Sequence, residues 1–235
     1  MAILDKIKSY KELIDTYIDE TCFILGAGTS LYEQSSLPSF AKIFDHVVIS
    51  VNAGIILCPW KDGEPNKRFW ISNDASVRHW SFWPKVKSSK ANRVVRNSWE
   101  KYYEEIKDFY FFPPRPSKED VMNPGDEGLA YCSSVPSALD LAIQMGCKRI
   151  YLLGVDHYIV GGKMYFWQYW PKNKQPVGPF TSLKVQNNIF DINMSAFRAL
   201  NIFAKNKNVE VFNCSLQSKV DAFKKINLET ILETL

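Results

Sequence analysis

Thr21-Cys22-Phe23-Ile24-Leu25-Gly26-Ala27-Gly28-Thr29-Ser30-Leu31 is the stretch that decides the fold. A short apolar or β-forming run that ends in glycines reads as a strand buried on both faces, followed by a sharp turn. The amides of Gly26, Gly28 and Thr29, unscreened by side chains, are expected to approach a phosphate or carboxylate closely. The pattern departs from the full dinucleotide fingerprint, because Leu31 stands where a third glycine would be.

Working outward, two more strands of the same kind follow. Val47–Val51 ends at Asn52-Ala53-Gly54, and Arg68–Ser72 ends at Asn73-Asp74. Residues 93–96 and 108–112 read as further strands around a helix at 99–107, and Pro113, Pro114 and Pro116 then stop regular structure. Residues 122–128 read as loop. Residues 134–145 read as a helix, with Ser134 at its start, Pro136 in its first turn and Gly146 as its stop. It feeds the strand Arg149–Leu153, which ends in Gly154-Val155-Asp156-His157-Tyr158. A segment rich in Gly, Pro, Trp and Tyr occupies 159–188. A helix at 191–205, a strand at 209–213 and a helix from about 221 close the chain. Residues 1–20, with Ile3, Ile7, Leu13, Ile14 and Ile18 at helical intervals, suggest an amphipathic helix.

Strands alternating with helices imply right-handed βαβ units. The expected architecture is therefore α/β: one Rossmann-like domain over residues 1–235, a mostly parallel sheet with helices on both faces, and an aromatic-rich lid inserted at 159–188.

Composition sets bounds. Of 235 residues, 46% are hydrophobic and 14% aromatic, enough for a sizeable core, which excludes a disordered chain. A net charge of +4, evenly scattered, does not describe a nucleic-acid groove. Five widely spaced cysteines without a C-x-x-C, and three histidines without ligand spacing, read as reduced thiols in a cytoplasmic protein rather than a disulfide frame or zinc site. No apolar run approaches the ~18 residues that span a membrane.

In a parallel sheet, ligands bind at the carboxyl ends of the strands. That rule gathers Gly26, Gly28, Ser30, Asn52, Asn73, Asp74, Gly154, Asp156 and Tyr158 around one crevice. Nicotinamide and S-adenosylmethionine enzymes place an acidic residue after the second strand. Here it is Asn52, an uncharged donor and acceptor that suits a base or phosphate. Asn52 and Asn73 either touch a ligand or only cap turns. Asp156 and Asp74 could hold a divalent metal, orient a hydroxyl or cap a turn. Ser133 and Ser134 are expected to cap the following helix, whose free amides offer a second anion site. Tyr158 and Tyr165 flank Gly161-Gly162, so both hydroxyls could face an incoming ligand or pack as aromatics do, and packing is the reading favoured for Phe166 and Trp167. Trp167, Tyr169 and Trp170 have three uses open to them: stacking on a sugar or base, plugging the loop, or forming an oligomer contact.

The order Gly-x-Gly-x-Ser-Leu, strand-Asn, strand-Asn, then the 133–158 block ending Ile-Tyr-Leu-x-Gly-x-Asp-x-Tyr, resembles the bacterial sialyltransferases that modify lipooligosaccharide. It is equally similar to a wider group containing the archaeal 6-hydroxymethylpterin diphosphokinase and the motility-associated factor glycosyltransferases. The first resemblance implies a glycosyltransferase that binds a CMP-linked sugar without a further cofactor and passes the sugar to a small-molecule or glycan acceptor. Gly26, Gly28, Asn52, Asn73 and Ser133 or Ser134 would hold the nucleotide, and Tyr158 and Tyr165 the leaving phosphate. The family's basic histidine has no counterpart after His157. Asp191 stands near its position, and His157 is a rival base expected to point away from Asp156. The second resemblance implies a Mg²⁺- and ATP-dependent diphosphokinase acting on a pterin-like alcohol, with Asp74 and Asp156 as metal ligands. A nucleotide-binding protein without catalysis is the third reading.

Overall fold

A computed structural model describes residues 8–59, 67–106, 108–113, 128–130, 132–179 and 183–235, the side chains of 183–189 excepted. The expected loop at 122–128 lies outside them apart from Gly128, as does the start of the expected N-terminal helix. The described strands are β1 (Lys8–Ser9), β2 (Thr21–Leu25), β3 (Val47–Val51), β4 (Arg68–Ser72), β5 (Asn92–Arg96), β6 (Tyr110–Phe112), β7 (Arg149–Leu153), β8 (Glu210–Asn213) and β9 (Lys224–Lys225). The described α-helices are α1 (Ser30–Gln34), α2 (Trp83–Ser88), α3 (Tyr103–Ile106), α4 (Ser134–Gln144), α5 (Leu183–Asn206) and α6 (Leu228–Thr234).

The strands form one sheet in the order β1-β6-β5-β4-β3-β2-β7-β8-β9, and every pairing is parallel. Successive side chains of a strand face opposite ways, so β2 sends Cys22 and Ile24 to one core and Phe23 and Leu25 to the other. The first core is closed by α4 and α5 through Leu139, Leu141, Phe197 and Leu200. The second holds the aromatic mass of Trp70, Trp83, Trp99 and Phe109, whose rings meet at tilted or edge-on angles 6.0–6.3 Å apart. The chain runs outward from β2 through β6 on one side and continues from β7 on the other. The switch point therefore lies between β2 and β7. Among the described residues, no helix is long and apolar enough to cross a membrane.

Four local expectations are corrected. Residues 8–20 are not a helix: Ser9 and Glu12 close a capping box on a short 3-10 turn, and Asp15 and Asp19 take positive φ (54° and 63°). The amides of Asp15, Tyr17 and Asp19 bond the carbonyls of Gln144, Met145 and Gly146, so the segment satisfies the carboxyl end of α4. The helix expected at 191–205 begins at Leu183, because Asn187 and Asn188 cost a helix only tenths of a kcal/mol each. The last helix begins at Leu228, behind its cap Asn227, because Lys224–Lys225 pairs with β8 instead. The helix expected at 99–107 is a 3-10 turn over Asn97–Tyr102 that passes into α3.

Candidate functional site

The glycine turn after β2 is tied to the turn after β7. The amides of Gly26 and Gly28 donate to the carbonyls of Leu153 and Gly154, both at 2.8 Å. A Cβ on Gly26 would stand 2.5 Å from the Gly154 carbonyl oxygen, and one on Gly28 would stand 2.6 Å from Asp156 Oδ2. The two glycines thus permit close approach between two chain segments, and the expectation that their amides are open to a phosphate is corrected. Asp156, 2% exposed, completes the tie. Its carboxylate accepts from Thr29 Oγ1 at 3.0 Å, from the Ser30 amide at 2.8 Å and from Ser30 Oγ. The positive end of α1 is thereby filled by a side chain of the protein. Both carboxylate oxygens already accept hydrogen bonds, and among the described residues no group of three or more His, Cys, Asp or Glu side chains gathers to hold a metal. Asp74 itself caps the following turn through Ser76.

Beside this tie, a cavity of about 490 Å³ opens at the carboxyl ends of β2, β3, β4 and β7. Gly28, Asn52, Asn73, Asp74, Ser133, Ser134, Gly154, Asp156, His157, Tyr158 and Tyr165 all line it. Of the expected site residues, Gly26, Ser30 and Asp191 do not. Ser30 lines a neighbouring cavity of about 420 Å³, whose wall Tyr158 shares. Asp191 lies within α5, exposed to solvent, rather than ahead of the helix.

Several wall residues are committed to the scaffold. Ser134 Oγ accepts from the Asn73 amide at 2.9 Å, and Asn73 Nδ2 donates to Ser137 Oγ at 2.9 Å, joining the end of β4 to α4. Ser133 occupies the cap position of α4 but makes no side-chain cap bond, contrary to expectation. Others are not committed. Asn52 Oδ1, His157 Nδ1 and Asn193 Oδ1 are buried without a hydrogen-bond partner among the described residues. Asn52 and His157 also take positive φ (49° and 51°), a conformation that costs non-glycine residues and that gathers at functional sites. The turn at His157 sends its ring against Phe190 and Phe197 of α5, at centroid distances of 4.9 and 5.3 Å. Its Nε2 lies 3.5 Å from Asn193 Nδ2. Burial lowers the His157 pKa to about 4 against the opposing pull of Asp156, so the ring is neutral at physiological pH. Burial raises the phenol pKa of both Tyr158 and Tyr165, helped by nearby carboxylates, so both keep their protons and can donate.

No protein-family model and no curated protein matches the chain. Solved structures do. The fold is similar to that of a glycosyltransferase. The MAf glycosyltransferase from Magnetospirillum magneticum AMB-1 matches with a TM-score of 0.56 at 14% identity, over 99% of this chain and 39% of the other. The chain thus spans about two fifths of that protein's length, and the likeness is one of fold. The sialyltransferase CstII from Campylobacter jejuni also matches. Its complex with cytidine-5'-monophosphate gives a TM-score of 0.48 at 16% identity, over 89% of this chain and 85% of the other. Its complex with CMP-3FNeuAc gives 0.49 at 15%, over 88% and 86%.

The sequence reading missed Arg96, Phe190 and Asn193, which also line the cavity. Asn193 is 4% exposed, and its signal was an asparagine on the apolar face of a helix, next to Met194 and four residues before Phe197. Arg96 carried a signal as well, since it stands at the carboxyl end of β5 much as Asn52 stands just after β3. Of the insert expected at 159–188, residues 183–188 belong to α5, and the described part is tied down at two points. The Phe166 amide donates to Ala27, and Val177 exchanges bonds with Ser81. Phe166 and Trp167 are buried beneath it, and Tyr169 stacks on Tyr32. Gly161 and Gly162, both with positive φ, make the tight turn between Val160 and Lys163.

Proposed function

We propose that this protein is a glycosyltransferase-like enzyme that binds a CMP-linked sugar in the 490 Å³ cavity and transfers the sugar to an acceptor hydroxyl. One observation carries the reading: three buried polar atoms on three different elements, those of Asn52, His157 and Asn193, converge without partners on a single cavity at the carboxyl ends of the strands. An unpaired buried polar group costs about 1–3 kcal/mol, and a ligand rich in hydroxyl and amino groups removes that cost. The motif order that resembles the sialyltransferases supports the cytidine assignment, and the shared glycosyltransferase fold is compatible with it.

In this reading Asn52 and Asn73 face the nucleotide, and Tyr158 and Tyr165 donate to the departing phosphate as negative charge develops there. The acceptor oxygen bonds to the sugar carbon, the bond from that carbon to the phosphate oxygen breaks with its electron pair leaving on CMP, and the hydroxyl proton passes to a base. His157 is better placed for that role than Asp191, because it lines the cavity and Asp191 does not, although a pKa of about 4 makes it a weak base. A diphosphokinase reading loses support from Asp156, whose carboxylate is already bonded to Thr29 and Ser30.

The test is a thermal-shift panel with CMP, UDP, GDP and ATP, each with and without Mg²⁺, followed by CMP release from CMP-N-acetylneuraminate. A ligand at 100 times its Kd stabilises the fold by about 2.7 kcal/mol. The expected result is a Mg²⁺-independent shift with CMP that Asn52→Ala abolishes, together with slow release of CMP. A shift confined to ATP with Mg²⁺ favours the kinase. CMP binding without release leaves a binding protein, and no shift at all removes the nucleotide reading.

A further inference from the structure

Six of the protein's arginines are among the described residues, and five of them are paired with a carboxylate or with backbone carbonyls. Arg78, Arg93, Arg149 and Arg198 pair with Glu105, Asp108, Glu210 and Asp221 at 3.0, 2.8, 3.5 and 2.6 Å. Buried Arg68 donates to the carbonyls of Phe44 and His46. Arg96 differs. It stands at the carboxyl end of β5, partly buried, and its Nε donates to Ser98 Oγ at 3.0 Å. No carboxylate of the described residues lies within ion-pair distance, and none of the described residues bonds the fork of Nη1 and Nη2. It is also the cationic side chain among the described residues that line the cavity, since His157 is neutral there. The two lining aspartates do not answer it, because Asp156 is held by Thr29 and Ser30, and Asp74 by Ser76.

A partly desolvated guanidinium presents parallel N–H groups that match the two oxygens of a carboxylate or phosphate. We propose that Arg96 is an anion-recognising residue of the cavity, binding an oxyanion of the ligand through Nη1 and Nη2. The inference rests on the cavity being the ligand site. The oxyanion has two sources within the proposed ligand class: the nucleotide phosphate, or a carboxylate carried by an acidic sugar. Because the fold uses Arg96 only through Ser98, Arg96→Gln should fold with an unchanged melting temperature.

The experiment is titration calorimetry of wild type, Arg96→Lys and Arg96→Gln with cytidine, CMP and CMP-N-acetylneuraminate. Cytidine, which has no oxyanion, should bind all three proteins alike. Loss of about ten- to a hundredfold in CMP affinity in Arg96→Gln assigns the phosphate, with Arg96→Lys intermediate because it keeps the charge without the fork. An unchanged CMP affinity with the same loss for CMP-N-acetylneuraminate assigns the carboxylate. Equal affinities of wild type and Arg96→Gln for all three compounds overturn the inference. If wild type binds none of the three, the cytidine reading fails by itself, and inorganic pyrophosphate becomes the probe. Thermal stabilisation of wild type but not of Arg96→Gln then upholds Arg96 as the anion residue, and equal behaviour overturns it.

Discussion

At the scale of single residues, the tie between the two central strand ends is the most sensitive point. Asp156→Ala removes a buried acceptor of three hydrogen bonds and strands the Ser30 amide, for an expected loss of about 2–4 kcal/mol by urea denaturation. Gly28→Ala should be at least as damaging, because its Cβ would lie within 2.7 Å of both the Asp156 carboxylate and the Gly154 carbonyl. Gly161→Ala is the control: its φ is +54° but nothing stands within 4 Å, so only about 1 kcal/mol of backbone strain is expected. His157 supplies the pH prediction. Its folded pKa of about 4 lies below the ordinary 6.5, so between those values the unfolded chain binds more protons. The stabilisation is complete above pH 6.5 and is lost as pH falls toward 4, by an amount on the order of 3 kcal/mol. Burial also lowers the pKa of His46, so it adds a pH dependence of the same sign. The measurement is therefore the difference between wild type and His157→Phe across pH 7.5 to 4.5, and a parallel pair of curves refutes the assignment.

At the scale of elements, the segment between β7 and α5 is held by its own aromatic residues. Trp167 is buried, stacks on Tyr165 at 5.2 Å and meets Trp80 edge-on at 5.8 Å. Trp167→Ala should cost about 3–5 kcal/mol and release the Tyr165 ring into motion, seen as hydrogen exchange confined to 160–179 and the turn after β4. Uniform exchange over the whole sheet would mean that the segment is not a separate unit. The strands β2, β3, β4 and β7 were legible because each is a short apolar run punctuated by Gly or Asn. The 3-10 turn at Tyr10–Leu13 and the early start of α5 were not, because their reasons are distant. Residues 15–19 follow the carbonyls at the end of α4, and α5 runs through asparagines that read as a break but cost a helix little.

At the scale of the whole molecule, a sheet that is parallel throughout must end somewhere, and both edges are blunted in the same way. β1 and β9 are two residues long and carry Lys8, Lys224 and Lys225, which is how natural edges avoid pairing with another chain. Lys224→Val should leave the melting temperature nearly unchanged while raising light scattering of the folded protein. Scattering equal to wild type would show that edge length alone protects the sheet. The fold class followed from local pattern, since strand length, continuous apolar runs and strand-end glycines are properties of consecutive residues. The gathering of Asn52, Asn73 and Tyr158 on one crevice followed from the strand-end rule once the sheet was taken as parallel, while Ser133 and Tyr165 were pointed to by the resemblance. What only the tertiary structure decided is which of these groups are already spent. Gly26, Gly28 and Asp156 bond to one another's segments, while Arg96, His157 and Asn193 are left facing the cavity. A hydrogen-bonding group is used or available according to what lies opposite it, and at this site the opposite residue is often more than a hundred positions away.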